Sequence, residues 1–403
     1  MVLYLILFLK EVYPAVNNLF NLDYSSAINR IIISISFLIV VAVFIHDILK
    51  KKHLSRKLIG IIIVISLIFT SAFLTISLNS LSIDAYTKTN YLTIILRSIP
   101  AIFLAAILVS RKKEWHLKQL SLLAFLFSIS FLKYLFFNIS SMFLGQSLRF
   151  GGVNYNDFAY ICTLNIAFCY LLIFEAILSR SKRKWQVIVY VTYLIISYTA
   201  LFLSGGRGAL MVSIILLFVF ILLLMRKLKF DIKRISITFA AVLSLLFITS
   251  NIISNNEALQ MGVERGFSFL DSSDSTGVIN WDETSGRSDI YQQSLELINE
   301  QPFLGYGISS VFLIHPTSNF SHNIFLDILI DGGILYLSIC LFILFYLIFK
   351  SIKNMEGFDY YFPLSLFIFS FVNLLSGSNY LIEPIFWFSI VYIFLLQKQE
   401  KLN

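Results

Sequence analysis

The stretch SGGRGALMVSIILLFVFILLLMRK, residues 204–227, decides the fold class of this chain. Between Ala209 and Met225 no side chain is charged. A bilayer-crossing helix needs roughly 20 mostly apolar residues. The run opens on three glycines and closes on Arg226 and Lys227, so it predicts a helix that crosses a bilayer and stops at a basic cluster. Outward from it, comparable runs lie near 31–49, 58–78, 91–110, 119–137, 157–179, 187–203, 235–253, 330–349, 359–375 and 384–397. The segment 2–20, interrupted by Lys10, Glu11 and Pro14, is the least regular span and has no cleavable-leader pattern. The prediction is an all-α polytopic membrane protein of about twelve spans.

Composition demands the same class. The 403 residues are 58% apolar and only 13% charged, against roughly 25% charged in a soluble domain. The mean hydropathy is +0.83. Cys162, Cys169 and Cys340 all sit in apolar runs and make neither a disulfide framework nor a metal spacing. The net charge of +8 is no nucleic-acid signature, because most of the 31 lysines and arginines fall at alternate ends of the spans. The clusters are Lys50 to Lys57, Arg111 to Lys118, Arg180 to Lys184, Arg226 to Arg234, Lys350 with Lys353, and Lys398 with Lys401. The positive-inside rule puts them in the cytoplasm.

The opposite face then carries 79–90, 138–156, 204–208, 376–383 and one long segment, 254–321. The chain divides into an N-terminal bundle, 1–253, a large extracytoplasmic loop, 254–321, and C-terminal helices, 322–403. The loop is acidic and too polar for lipid. It is expected to hold a short amphipathic surface helix from Asp289 to Glu300, capped by Ser288 and followed by Pro302.

Basic residues on the translocated face run against the charge bias, so each needs a reason. Arg207 stands in Ser204-Gly205-Gly206-Arg207-Gly208-Ala209. Gly206 and Gly208 let the backbone approach a ligand closely, and the following helix start favours an anion. The plainer alternative is an arginine snorkelling at a helix end. Arg287 either serves a ligand or pairs with the loop's acids, Asp289 first among them. His322, where the loop re-enters the membrane, is either an interfacial histidine or a proton acceptor, since an imidazole of pKa about 6.5 is mostly neutral at pH 7. No second ligand at zinc spacing accompanies it. Lys133 is expected to snorkel. Arg97, well inside its span, is a functional candidate because burying a charge in lipid costs several kcal/mol.

Four elements in order resemble the O-antigen ligase and polymerase family, the Wzy-like glycan assembly enzymes of bacterial inner membranes. They are Ser204 to Ala209; Gly286-Arg287 with Tyr291 and Pro302-Phe303-Leu304-Gly305-Tyr306-Gly307; Ser321-His322-Asn323 with Asp331-Gly332-Gly333; and Arg149 with Gly151-Gly152-Val153-Asn154-Tyr155-Asn156. The likeness covers residues 145–345, and Gly206 departs from it, many members carrying another residue there. It implies glycosyl transfer from a polyprenyl-diphosphate-linked glycan, without metal or cofactor, at the outer side of the bacterial inner membrane; direct attack by the acceptor would make the transfer inverting. His322, Arg207 and Arg287 would be catalytic; Gly206, Gly208, Arg149, Asn156, Tyr291, Asn323 and Arg97 would bind substrate. Donor and acceptor are lipid-linked oligosaccharides, and a chain-length regulator protein is an expected partner. Within the family a polymerase is favoured over a ligase acting on lipid A-core. The rival from another class is a lipid-linked oligosaccharide flippase.

Overall fold

In the computed structural model the described residues are 1–22, 25–51, 85–143, 150–178, 184–227, 287–311, 320–353, 357–375 and 377–396, with scattered helical positions between 59 and 75. The expected span 235–253, most of 58–78, Arg149 and most of the long loop lie outside them. The described chain is helical: α1 (Val2–Leu7), α2 (Leu9–Phe20), α3 (Ser26–Lys51), α4 (Ala85–Leu108), α5 (Lys113–Phe143), α6 (Tyr155–Leu178), α7 (Lys184–Ser204), α8 (Arg207–Lys227), α9 (Arg287–Glu300), α10 (Ile324–Lys353), α11 (Phe358–Leu374) and α12 (Pro384–Leu395). Among the described residues six helices, α3, α5, α6, α7, α8 and α10, are long and apolar enough to cross a membrane, which makes this a multi-pass membrane protein. Shorter apolar stretches occupy Leu96–Leu108, α11 and α12.

Two compact units form. One contains Leu9–Ser25 and Glu114–Ile279. Its centre is α6, whose residues from Phe158 to Glu175 are almost all buried, packed against α7 and α8. Such a helix is apolar on every side because it meets protein on every side. Its buried asparagine reaches hydroxyls on the neighbouring helices. Asn165 donates to Ser128 Oγ at 3.1 Å and Ser197 Oγ at 2.9 Å. The surrounding helices turn Phe136, Phe137, Ile188 and Phe218 outward. That outward apolar surface is what lipid requires.

Here the segment 2–20 departs from a single span. It breaks at Phe8 into helices of 6 and 12 residues that fall in different units. At 1.5 Å per residue these reach about 9 and 18 Å, short of the roughly 30 Å hydrocarbon core. Pro14 removes a backbone donor within α2, and Glu11 is buried. Lys133 likewise does not snorkel. Its Nζ donates to the carbonyls of Asn18 and Leu19, both at 2.8 Å, and to Asn21 Oδ1 at 2.7 Å. A cation at the α2 C-terminus satisfies carbonyls that lack intrahelical donors. Lys133→Met, which keeps the apolar stem, is expected to cost about 1.5–3 kcal/mol, seen as a lower unfolding temperature in detergent.

The other unit contains Met1–Phe8, Ser26–Lys113 and Asn280–Asn403. In it α3 packs on α4 with Phe44 stacked on Phe103 at 4.2 Å, and α12 packs on α4 and α11. Tyr4 of α1 meets Phe362 of α11. The expected span 384–397 is realised as a buried helix of 12 residues. The segment 377–383 folds inward: Ser378, Asn379, Tyr380, Leu381 and Glu383 are buried, and Ser98 of α4 donates to the Leu381 carbonyl.

Candidate functional site

In the unit holding α9 to α12, the sequence breaks α10 at two glycines. Gly332 (φ −145°, ψ 15°) and Gly333 (φ 62°, ψ −164°) leave the helical region. The break frees carbonyls before it and N–H groups after it, inside a helix long enough to cross a membrane. Such groups must be paired there. The 302–307 segment pairs them. Tyr306 and Gly307 donate N–H to the carbonyls of Ile330 (2.9 Å) and Asp331 (2.8 Å). The carbonyls of Pro302 and Phe303 accept from Ile334 (2.8 Å) and Leu335 (3.3 Å). Approach this close excludes side chains: a Cβ on Gly305 would sit 2.6 Å from the Ile330 carbonyl oxygen. The P-x-x-G-x-G element and the Gly332-Gly333 pair are therefore two halves of one joint.

Two carboxylates one turn apart on α10, Asp327 and Asp331, are fully buried beside it. Asp327 accepts from the Ser321 N–H (2.8 Å) and Oγ (2.5 Å) through Oδ1, and from Asn379 Nδ2 (2.7 Å) through Oδ2. Asp331 accepts from Ser310 Oγ and the Val311 N–H, both at 3.1 Å, and from the Tyr380 hydroxyl at 2.7 Å. Burial and the Asp331 carboxylate push the Tyr380 hydroxyl well above its usual pKa, so it stays a donor. Three chain segments are thus tied to one face of α10.

His322 sits on the corner this network holds. Its φ of 56° is left-handed, which for a residue of this size costs about 1–3 kcal/mol and persists where the surroundings impose it. Ser321 on one side is buried and bonded to Asp327. Asn323 on the other caps α10, its side-chain oxygen accepting the Phe325 N–H at 2.9 Å. The imidazole is half-buried, its ring 4.4 Å from that of Phe320. Three donors converge on Asp327, and an amide offers one acceptor oxygen in place of two. Asp327→Asn is therefore expected to destabilise by about 1–3 kcal/mol. Adding Asn379→Asp, which restores an acceptor opposite the new amide, is expected to recover most of the loss in thermal unfolding.

Asp327, Asn379 and Tyr380 were not among the residues singled out from sequence. The available signal was a pair of acids four residues apart within an apolar span, since intramembrane acids are functional or paired. Arg287 is half-buried and opens α9; the helix starts there rather than after a Ser288 cap, so Ser288 lies in the first turn. Tyr291 is half-buried on the same helix, which packs on α10. Arg97 is half-buried on α4 beside Ser98.

In the other unit, Arg207 likewise is the first residue of its helix, α8, with no acid in the first turn. A guanidinium there adds to the positive end of the helix dipole, a repulsion that a bound anion relieves. Gly205 turns the chain at φ 64°. Gly206 is buried against α6, and a Cβ on it would overlap that of Ala159. The departure noted at Gly206 thus has a local reason: α6 and α8 meet there, with Thr163 Oγ1 donating to the Ala209 carbonyl at 3.1 Å. Gly208 is half-buried. Before α6 a tight turn joins Phe150 and Val153. Asn154 caps α6 through the Asp157 N–H at 2.8 Å, and Asn156 is exposed. Among the described residues no cluster of three or more His, Cys, Asp or Glu is arranged to hold a metal ion.

Residues 192–341 match the family model described as O-antigen ligase, a stretch containing the Arg207 turn, α9, the His322 corner and the α10 joint. No curated protein matches the chain. At the level of the family, the match supports glycosyl transfer of the O-antigen ligase and polymerase type.

Proposed function

We propose, with likeness to the O-antigen ligase family over residues 192–341 as the premise, that this chain polymerises O-antigen or a related surface polysaccharide. The donor is a glycan on a polyprenyl diphosphate, and the acceptor is another lipid-linked repeat unit. The reaction runs at the outer side of the bacterial inner membrane. The observation that carries this reading is the His322 corner, a left-handed histidine fixed by a buried carboxylate where α10 begins.

In the proposed step, the acceptor hydroxyl loses its proton to His322 as its oxygen bonds the donor's anomeric carbon. The bond from that carbon to the diphosphate breaks, and direct attack inverts the centre. Charge grows on the leaving diphosphate, where Arg207 and Arg287 bind it. Arginine fits this task because it stays charged and presents two parallel N–H groups to phosphate. Tyr291, Asn323, Asn156, Arg149, Arg97, Gly206 and Gly208 are the residues assigned to substrate binding in this reading.

The Gly305-Tyr306-Gly307 and Ser321 to Asp327 stretches resemble polymerase members, which favours that reaction over ligation to lipid A-core. Deleting the gene and resolving the surface glycan on a gel separates the two. A core capped with a single repeat unit supports the polymerase. Bare core with accumulating lipid-linked polymer supports the ligase and overturns the polymerase.

A further inference from the structure

We propose that the 302–305 turn is a membrane-inserted wedge, with Phe303 and Leu304 buried among phospholipid acyl chains. Both side chains are 71% exposed, although the Phe303 carbonyl is bonded into the α10 joint and the Leu304 backbone lies close against Gly333. A flexible surface loop can fold exposed apolar groups away, but this turn is held in place by two of its own carbonyls and by the Gly305 approach.

What covers the pair is indicated by what lies next to it. Before the break, α10 is buried in protein at Ile324, Asp327, Ile328, Ile330 and Asp331. After it, Ile334 and Leu335 are exposed, followed by Ile339, Phe342 and Phe345. That second half is apolar, exposed and part of a membrane-crossing helix, so it faces lipid. Ile334 and Leu335, which begin this surface, are the residues whose N–H groups bond Pro302 and Phe303. The wedge therefore continues the lipid-facing surface of α10 at its upper edge.

The flanks of the turn are polar. Glu300 and Gln301 are exposed, and the Tyr306 hydroxyl donates to Glu300 at 2.6 Å. That bond raises the tyrosine pKa to about 12. Tyrosine beside charged groups above an apolar tip is the composition of a headgroup-level boundary. Non-helical backbone is tolerated at membrane depth where its polar groups are paired within the protein, and here the Pro302 and Phe303 carbonyls and the Gly305, Tyr306 and Gly307 N–H groups are so paired.

Spin labelling tests the wedge in full-length protein, with Cys340→Ser and the buried Cys162 and Cys169 retained. The protein is placed in phosphatidylcholine–phosphatidylglycerol vesicles, which contain no polyprenyl lipid. Nitroxides are introduced through Phe303→Cys, Leu304→Cys and, as a reference, Gln301→Cys. Insertion predicts that oxygen collisions dominate at 303 and 304, while a water-soluble nickel chelate dominates at 301. Nickel access at 303 and 304 equal to that at 301 overturns the proposal, as does access to neither probe. For labels that disturb folding, p-benzoylphenylalanine at 303 is close in shape to the native ring. Its photocrosslinking to phospholipid supports insertion, and crosslinks only to protein contradict it.

Discussion

His322→Ala is expected to lower glycosyl transfer by about 10²–10⁴-fold, the range that a positioned general base contributes. Ser321 and Asn323 hold the corner through their own side chains, with Asp327 behind them. Alanine removes the proton acceptor while the Ser321 and Asn323 bonds remain, so membrane insertion should stay near wild type while turnover collapses. Binding of the lipid-linked donor should be retained, because the loss falls on the chemical step. Turnover measured beside donor binding by the purified variant checks this. A variant that keeps full turnover removes His322 from the reaction.

The second large effect is expected at the arginines. Arg207→Ala and Arg287→Ala should each cost about 3 kcal/mol of transition-state stabilisation, roughly 150-fold in rate, if each guanidinium receives charge on the leaving diphosphate. Both open helices, α8 and α9, where the backbone adds positive potential of its own. Lysine should rescue only in part, since it keeps the charge and loses the planar pair of donors. Single-turnover rates for alanine and lysine variants test the assignment. Equal rates for Ala and wild type at either position exclude that arginine from leaving-group stabilisation.

Much of the fold was legible because a helix that crosses lipid needs a long run without charge. Residues 157–179, 187–203 and 209–225 predicted α6, α7 and α8 to within a few positions. Hydropathy does not distinguish apolar residues facing lipid from those facing protein. Residues 384–397 therefore looked like a span, whereas α12 is a short helix buried on nearly every side. Lys133 could not be read from its neighbours, because the carbonyls it caps lie more than a hundred residues away.

The site divides in the same way. The motifs around Arg207, Arg287 and His322 were visible because glycines, arginines and a histidine in outer segments need local reasons. Asp327 and Asp331 stood in plain view, but their partners, Ser310, Ser321, Asn379 and Tyr380, come from separate segments. The pairing of 302–307 with the α10 break was also out of reach. It joins backbone to backbone, and no side-chain pattern records it.

The most direct measurement uses purified protein in vesicles, supplied with a polyprenyl-diphosphate-linked repeat unit and assayed for both lengthened glycan and released polyprenyl diphosphate. The account predicts both products from the wild type and loss of both in the His322→Ala, Arg207→Ala and Arg287→Ala proteins. Movement of the intact lipid-linked unit across the bilayer with no new glycosidic bond would contradict it, and would make the chain a transporter.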